Sequence, residues 1–335
     1  MALVRILIGE FASALNLAEL FIETLTSSGT KVSKELLDRF EQLFKRIPAV
    51  IPDESDVRVD RRSDLLTAAI KWSQAVATTK NEAKYGSSTL HMTVANVLLK
   101  SGNFIDAKKH FLLTSDSENF AAGLIEFQTS EECEDDADIV GTKAVLELLC
   151  YRKSATAYQL LKLYASDHPK IKCSAPYSKV PLFSFCWLLI LCLQLRRSLS
   201  QEIVLAYFSE LIACFKDQLD RDSSLLTCVD KIGQVYLNVK SPRNEGGLLG
   251  SLLKGFMGSA KSEDTSESAL LDDTSADEFD AAIDEAAFLN SAQSVGIVFP
   301  TLSTSLKRTS AKVPEEQKPE DPVAVAISHS DMDLD

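Results

Sequence analysis

Seven cysteines and four histidines are the side chains of this 335-residue chain best suited to nucleophilic, proton-transfer or metal chemistry. Their placement argues against all of it. His91, His110, His168 and His329 offer no pair at the close spacing zinc sites use, and His168 stands before Pro169, a dipeptide that ends a helix. The cysteines are odd in number and include no Cys-x-x-Cys pair, which predicts reduced thiols in a cytosolic protein. Cys150, Cys186, Cys192, Cys214 and Cys228 fall inside apolar helical stretches, where a thiol behaves as a small hydrophobe. Neither a Gly-x-Ser-x-Gly elbow nor a phosphate loop is present. The run Glu131-Glu132-Cys133-Glu134-Asp135-Asp136 reads as a solvated loop ahead of a helix whose first turn favours acid, in preference to a cation site. The expectation is no enzyme, no cofactor and no metal.

The chemistry that remains is docking. Residues 246–258 read GGLLGSLLKGFMG, with Leu248, Leu249, Leu252, Leu253, Phe256 and Met257 as doublets along one helical stripe and glycine, serine and lysine on the other face. A helix that short and that glycine-rich does not hold itself together in water, so it must dock on its own last hairpin, on a partner, or on both. An interfacial amphipathic helix is the membrane alternative. Two further candidates sit upstream. Asp220, Asp222 and Asp230 place acid near the last helical hairpin, where they could grip a basic peptide or form a solvated helix face. Trp72 and Trp187 lie on apolar helix faces; both suit a core, and Trp187 is also a candidate partner anchor.

Helices must position these groups, since helical periodicity recurs throughout and strand-type alternation is scarce. The pattern predicts helices near 11–27, 33–47, 61–78, 87–101, 104–114, 117–128, 136–152, 154–167, 180–196, 200–218 and 223–238, broken at Gly29, Pro48, Pro52, Gly86, Gly102, Pro169, Pro176 and Pro181. Short links between them predict an all-α, right-handed α-solenoid of antiparallel hairpins. One hairpin is tetratricopeptide-like: Ala95, Gly102, Phe104, Ala107 and Phe111 put a helix stop, a close-approach residue and two aromatic fillers at that repeat's spacing.

The apolar run Val180–Leu193 covers 14 residues, short of the roughly 18–20 needed to cross a bilayer, and reads as a buried helix. The opening MALVRILIGE has too short an apolar run for a signal peptide. Residues 259–335 hold 17 acidic against 5 basic residues, so −12 of the net charge of −13 lies there and the first 258 residues stand at −1. That distribution argues against a nucleic-acid partner. Three parts follow: a segment 1–10, a scaffold 11–258, and a mostly disordered acidic tail 259–335. Within the tail, Phe279, Ile283 and Ala287 fall at helical spacing and could form a recognition helix, though the unstructured reading is favoured.

Five blocks, in order, carry a family resemblance. They are Leu66-x3-Ile70-Lys71-Trp72-Ser73, Lys108-x-His110-Phe111-Leu112, Ala144-Val145-Leu146-x-Leu148-Leu149-Cys150, Arg221-Asp222 with Asp230-Lys231-Ile232-Gly233-Gln234, and Gly246-Gly247-Leu248-Leu249-Gly250-x-Leu252-Leu253. Over about residues 12–259 the chain resembles the fourth guided-entry-of-tail-anchored-proteins factor, the 35-kilodalton subunit of the transmembrane-domain recognition complex. The resemblance implies a cytosolic, non-catalytic scaffold for delivery of tail-anchored membrane proteins to the endoplasmic reticulum. It would bridge a ubiquitin-like or Bag-family partner, held by the carboxy-terminal hairpins, to the targeting ATPase. Family members begin with further hairpins that meet the ATPase, and MALVRILIGE resembles nothing there. On the helical pattern alone, the alternative is a subunit of another large assembly, such as a proteasome-lid or coat-like scaffold.

Overall fold

The computed structural model describes residues 11–47, 51–52, 58–59, 61–130, 136–239 and 282–301. The segment 1–10 and the stretch 240–281, including Leu248, Leu249, Leu252, Leu253 and Phe256, lie outside the described residues. A two-residue antiparallel bridge joins β1 (Ile51–Pro52) to β2 (Arg58–Val59). Otherwise the regular structure among the described residues is helical. The first half holds α1 (Phe11–Ser27), α2 (Lys34–Arg46), α3 (Arg61–Ala75), α4 (Lys80–Tyr85), α5 (Ser88–Lys100), α6 (Phe104–Phe111) and α7 (Ser117–Thr129). The second half holds α8 (Ala137–Cys150), α9 (Ser154–Asp167), α10 (Pro181–Gln194), α11 (Gln201–Cys214), α12 (Lys216–Leu219), α13 (Ser223–Leu237) and α14 (Glu285–Ser294). The fold is the all-α solenoid the sequence pattern calls for.

Several helices start and stop for a local reason. Ser33 caps α2 through the Leu36 N–H, and Asn103 caps α6 through the Asp106 N–H. Gly102, at φ +77°, turns α5 into α6 through a left-handed conformation that a side chain would resist. In that hairpin Ala95, Ala107 and Phe111 are fully buried, as the repeat spacing requires. The two phenylalanines also reach the next helix: Phe111 stacks on Phe120 at 5.3 Å and Phe104 on Phe127 at 5.0 Å. They therefore join one hairpin to the following one. Further up, α1 packs on α3, and the buried Trp72 donates its indole N–H to the Thr30 carbonyl at 2.8 Å, tying α3 to the turn after α1.

The second half is organised around α8, which touches α7, α9, α10 and α13. Gly141 makes this crowding possible. A Cβ there would lie 2.6 Å from the Tyr164 ring of α9 and 3.0 Å from Phe183 of α10. Tyr164 completes the contact by donating its hydroxyl to the Ala137 carbonyl at 2.9 Å. Helix α13 does not simply extend the stack beyond α11 and α12; it folds back and packs along α8.

Three expectations are corrected, and one pairing lies beyond what the sequence pattern addresses. The predicted helix 200–218 breaks at Phe215, whose ring packs against Phe185 at 5.6 Å, leaving α11 and the single turn α12. The cysteines are not uniformly core: Cys186 and Cys192 are buried, Cys150 and Cys228 are half-buried, and Cys214 is exposed. Part of the acidic tail is ordered, because α14 seats Phe288 and Ala292, both fully buried, against the body. Last, two histidines distant in sequence meet in space. His91 Nδ1 and His110 Nδ1 are 2.8 Å apart, and His91 Nε2 lies 2.9 Å from the Tyr85 carbonyl. A carbonyl only accepts, so the neutral His91 carries its proton on Nε2 and its Nδ1 accepts from the His110 Nδ1–H.

Gly141→Ala is expected to destabilise the fold by about 1–3 kcal/mol in urea titrations, although alanine is the better helix former. A stabilised variant would show that α8 and α9 do not approach as closely as the Gly141–Tyr164 contact requires. The histidine pair sets a pH dependence. Burial lowers both pKa values, with His91 pressing further on His110, which falls from an ordinary 6.5 to about 4. The unfolded chain therefore binds more protons in that interval, and the contribution is complete above about pH 6.5 and lost as pH falls toward 4. Thermal midpoints should drop over that range, and His110→Gln, which keeps a donor to His91, should make the drop shallower.

Candidate functional site

The expected docking region begins where α13 ends, so what fixes α13 fixes its origin. At the N-terminal end, Arg221 spreads its guanidinium over two acids at the start of α8. It donates to Asp136 Oδ2 at 2.7 Å and to Asp138 Oδ2 and Oδ1 at 2.5 and 3.1 Å. The planar fork matches the carboxylate in a way a lysine ammonium does not. One residue on, Asp222 caps α13 by accepting the Ser224 N–H at 2.7 Å, and that bond holds its carboxyl below the usual carboxylate range. Lys143 of α8 stands 3.9 Å from the same carboxylate.

The C-terminal end of α13 is held as firmly. Arg152, just after α8, donates to the Val235 carbonyl at 3.1 Å; Arg196, just after α10, reaches the Tyr236 carbonyl at 3.5 Å; and Gln201, first in α11, donates to the Leu237 carbonyl at 2.5 Å. These are carbonyls of the last turn, which the helix itself leaves without partners. Two guanidiniums there also oppose the negative end of the helix dipole. Both lie over the Tyr236 ring, Arg196 at 4.7 Å and Arg152 at 5.7 Å from its centre. Asn238, at φ +52°, closes the helix in the left-handed conformation. The C-terminal end of α13 is thus fixed to the body at three carbonyls.

The groups singled out in sequence divide on this frame. Asp220 and Asp222 flank Arg221 at the turn between α12 and α13. Asp220 is exposed and 3.3 Å from Lys216, while Asp222 is engaged in capping. Asp230 lies in the middle of α13, half-buried. Trp187 belongs to another neighbourhood, half-buried on α10 with its ring edge-on to Tyr177 at 6.4 Å. Trp72 is core. The acidic run ending at Asp136 leads, as expected, into a helix, and its last member serves the Arg221 clamp.

Sequence reasoning missed Arg152, Arg196, Gln201 and Tyr236 altogether. Arg196 was visible only as a charge flanking an apolar run, and nothing local signals a carbonyl 40 residues away. Among the described residues no group of three or more histidines, cysteines or acids is arranged to hold a metal ion, and His91 with His110 makes only a pair. No described helix is long and apolar enough to cross a membrane.

Comparison with known proteins addresses the family and the fold. The family model for Golgi to ER traffic protein 4 matches residues 4–257, beginning inside the opening segment and closing within the glycine–leucine stretch. The chain is 32% identical over 259 residues to the Golgi to ER traffic protein 4 homolog of Oryzias latipes, covering 77% of this chain and 74% of that one. It is 31% identical over 262 residues to the homolog of Homo sapiens, covering 78% and 74%. Among solved structures, the Get4 of C. therm. aligns with a TM-score of 0.58 at 18% identity, over 79% of this chain and 83% of that one, a likeness of fold alone. With a continuous match from residue 4 to residue 257, this chain belongs to the Golgi to ER traffic protein 4 family.

Proposed function

We propose that this chain is a non-enzymatic scaffold of the cytosolic machinery that delivers tail-anchored membrane proteins to the endoplasmic reticulum, equivalent to the 35-kilodalton subunit of the transmembrane-domain recognition complex. In this reading it bridges a ubiquitin-like or Bag-family partner and the targeting ATPase. Family membership supports the pathway. The single structural observation that supports a docking role at the C-terminal hairpins is the double anchoring of α13, the last described helix before residues 246–258 in sequence. A rigid origin lowers the entropy a docking element loses on binding. The apolar stripe Leu248, Leu249, Leu252, Leu253 and Phe256 supplies the contact, with Trp187 of α10 as a separate candidate anchor. Asp220 and Asp230 supply the charge for a basic segment. Asp222 contributes mainly through its hold on the first turn of α13.

This arrangement determines the experiment. Removing α13 would strip α8 of a packing partner, so loss of binding after such a deletion would say little. Leu252→Asp, Leu253→Asp and Phe256→Asp, made together in the full chain, should abolish co-purification with a co-expressed ubiquitin-like or Bag-family partner while the thermal midpoint stays unchanged. Truncation after residue 301 should leave co-purification intact. Partner recovery undiminished by the triple substitution would overturn this placement of the contact.

A further inference from the structure

Residues 282–301 lie beyond the span the family model matches, yet they are built onto the body. The Asp284 side chain caps α14 by accepting the Ala287 N–H at 2.7 Å. Phe288 enters between α14 and α11, its ring 5.2 Å from that of Tyr207, and is fully buried. After the turn at Gly296, φ +85°, the chain doubles back and lays Phe299 flat on Phe288, 5.7 Å apart with the rings only 2° from parallel. Phe299 also meets Tyr207 at 6.0 Å. Two polar contacts set the register: Tyr207 donates its hydroxyl to Glu285 Oε1 at 2.6 Å, and Ser198 donates to the Ile283 carbonyl at 2.7 Å.

The rest of the segment is not core. Asp284, Ala286, Ala287, Asn290, Gln293 and Ser294 are exposed, and Val298 is 83% exposed. A helix of 10 residues does not persist alone in water, so this one is ordered because it is docked. Of the ten residues of α14 only Phe288 and Ala292 are buried, joined by Phe299 after the turn. That is the inventory of a ligand rather than of a structural helix such as α10, which buries 10 residues of its 14.

We propose that the face of α10 and α11 around Tyr207 is a helix-docking groove, and that residues 282–301 are its tethered, detachable occupant. The groove selects an acidic amphipathic helix that opens with an Asp cap and a Glu for the Tyr207 hydroxyl, carries phenylalanine one turn in, and returns a second phenylalanine after a glycine turn. Tethering gives the native segment a high local concentration, so the groove is filled in cis whenever the segment is intact. A competing helix of the same pattern gains access only as the strap lifts. This inference stands apart from the partner assigned to residues 246–258.

The test uses the full-length chain and a fluorescein-labelled peptide of residues 282–301, followed by fluorescence polarisation. Wild-type chain should show no saturable binding, because its groove is occupied. Phe288→Asp with Phe299→Asp, which ejects the tethered copy, should bind the peptide with a micromolar dissociation constant. Adding Tyr207→Ala should weaken that binding by about tenfold. A folded double variant that ignores the peptide, wild-type chain that binds it as tightly as the variant, or indifference to Tyr207→Ala would each overturn the proposal. Should the double variant fail to fold, a protease site inserted between residues 259 and 270 of the otherwise native chain gives the same answer. The cut tail should leave the body on dilution in gel filtration, and the body should then take the labelled peptide. A cut tail that stays bound at nanomolar concentration, or a freed body that refuses the peptide, would refute detachability.

Discussion

The close approach of four helices to α8 is the constraint from which the second half of the molecule follows. Gly141 lets the Tyr164 ring and Phe183 come within what would be a methyl group's space, and the Tyr164 hydroxyl ends on the Ala137 carbonyl. Interiors at this density have little room to adjust, so a shift in α9 or α10 is felt along α8. Because α13 lies along the same helix, the element that launches the docking region is coupled to the core by packing as well as by its terminal bonds. A docking element on the outermost repeat of an open array would lack that coupling, since there each repeat leans only on its neighbours.

Polar groups finish what packing begins, and they draw on the acids that the sequence offers as peptide ligands. Asp136 and Asp138 hold Arg221, Asp222 caps α13 beside Lys143, and Asp220 faces Lys216. A basic ligand at this end must therefore compete with bases of the chain itself for most of that acidity. Arg221 is held by three charge-assisted bonds and is the hardest of these bases to displace. The apolar stripe 246–258 is thus better suited to carry affinity, with charge selecting orientation and partner.

Local structure was legible in the sequence wherever a local cause exists. Of the 11 helices expected from periodicity and stop residues, all but the one over 200–218, which breaks at Phe215, form as single helices with ends within a few residues, because Gly29, Gly102 and the His168-Pro169 pair act on the backbone directly. The short α4 was overlooked although its signal was present: Thr79 and Glu82 have capping-box spacing, with the Glu82 N–H on Thr79 Oγ1 at 3.1 Å and the Glu82 carboxylate accepting the Thr78 N–H at 3.2 Å. What could not be read was long-range. The Arg221 clamp joins residues 85 apart in sequence, the histidine pair 19, and the Tyr207–Glu285 bond 78. No periodicity encodes such pairings. In the tail, the stripe Phe279, Ile283, Ala287 pointed to a helix in nearly the right place, but the buried residues are Phe288 and Ala292. The Asp284 cap, rather than the apolar spacing, sets the register.

The strap and the docking stretch share one support. Gln201 holds the Leu237 carbonyl and Ser198 the Ile283 carbonyl, so the residues before 240 and after 281 are pinned to the same α10–α11 turn. While the strap is seated, the chain has fixed points on both sides of that interval; with the strap lifted, only the fixed point at α13 remains. Closing a loop between two fixed points costs conformational entropy that rises only slowly with its length, so a modest aromatic contact is enough to keep it shut. The same arithmetic runs in reverse: on the proposed function, a partner bound at residues 246–258 changes the entropy at stake in seating α14, and the two events become linked without touching. A fold with a rigid exit point and a weakly held return point is therefore suited to pass occupancy at one place on to the other.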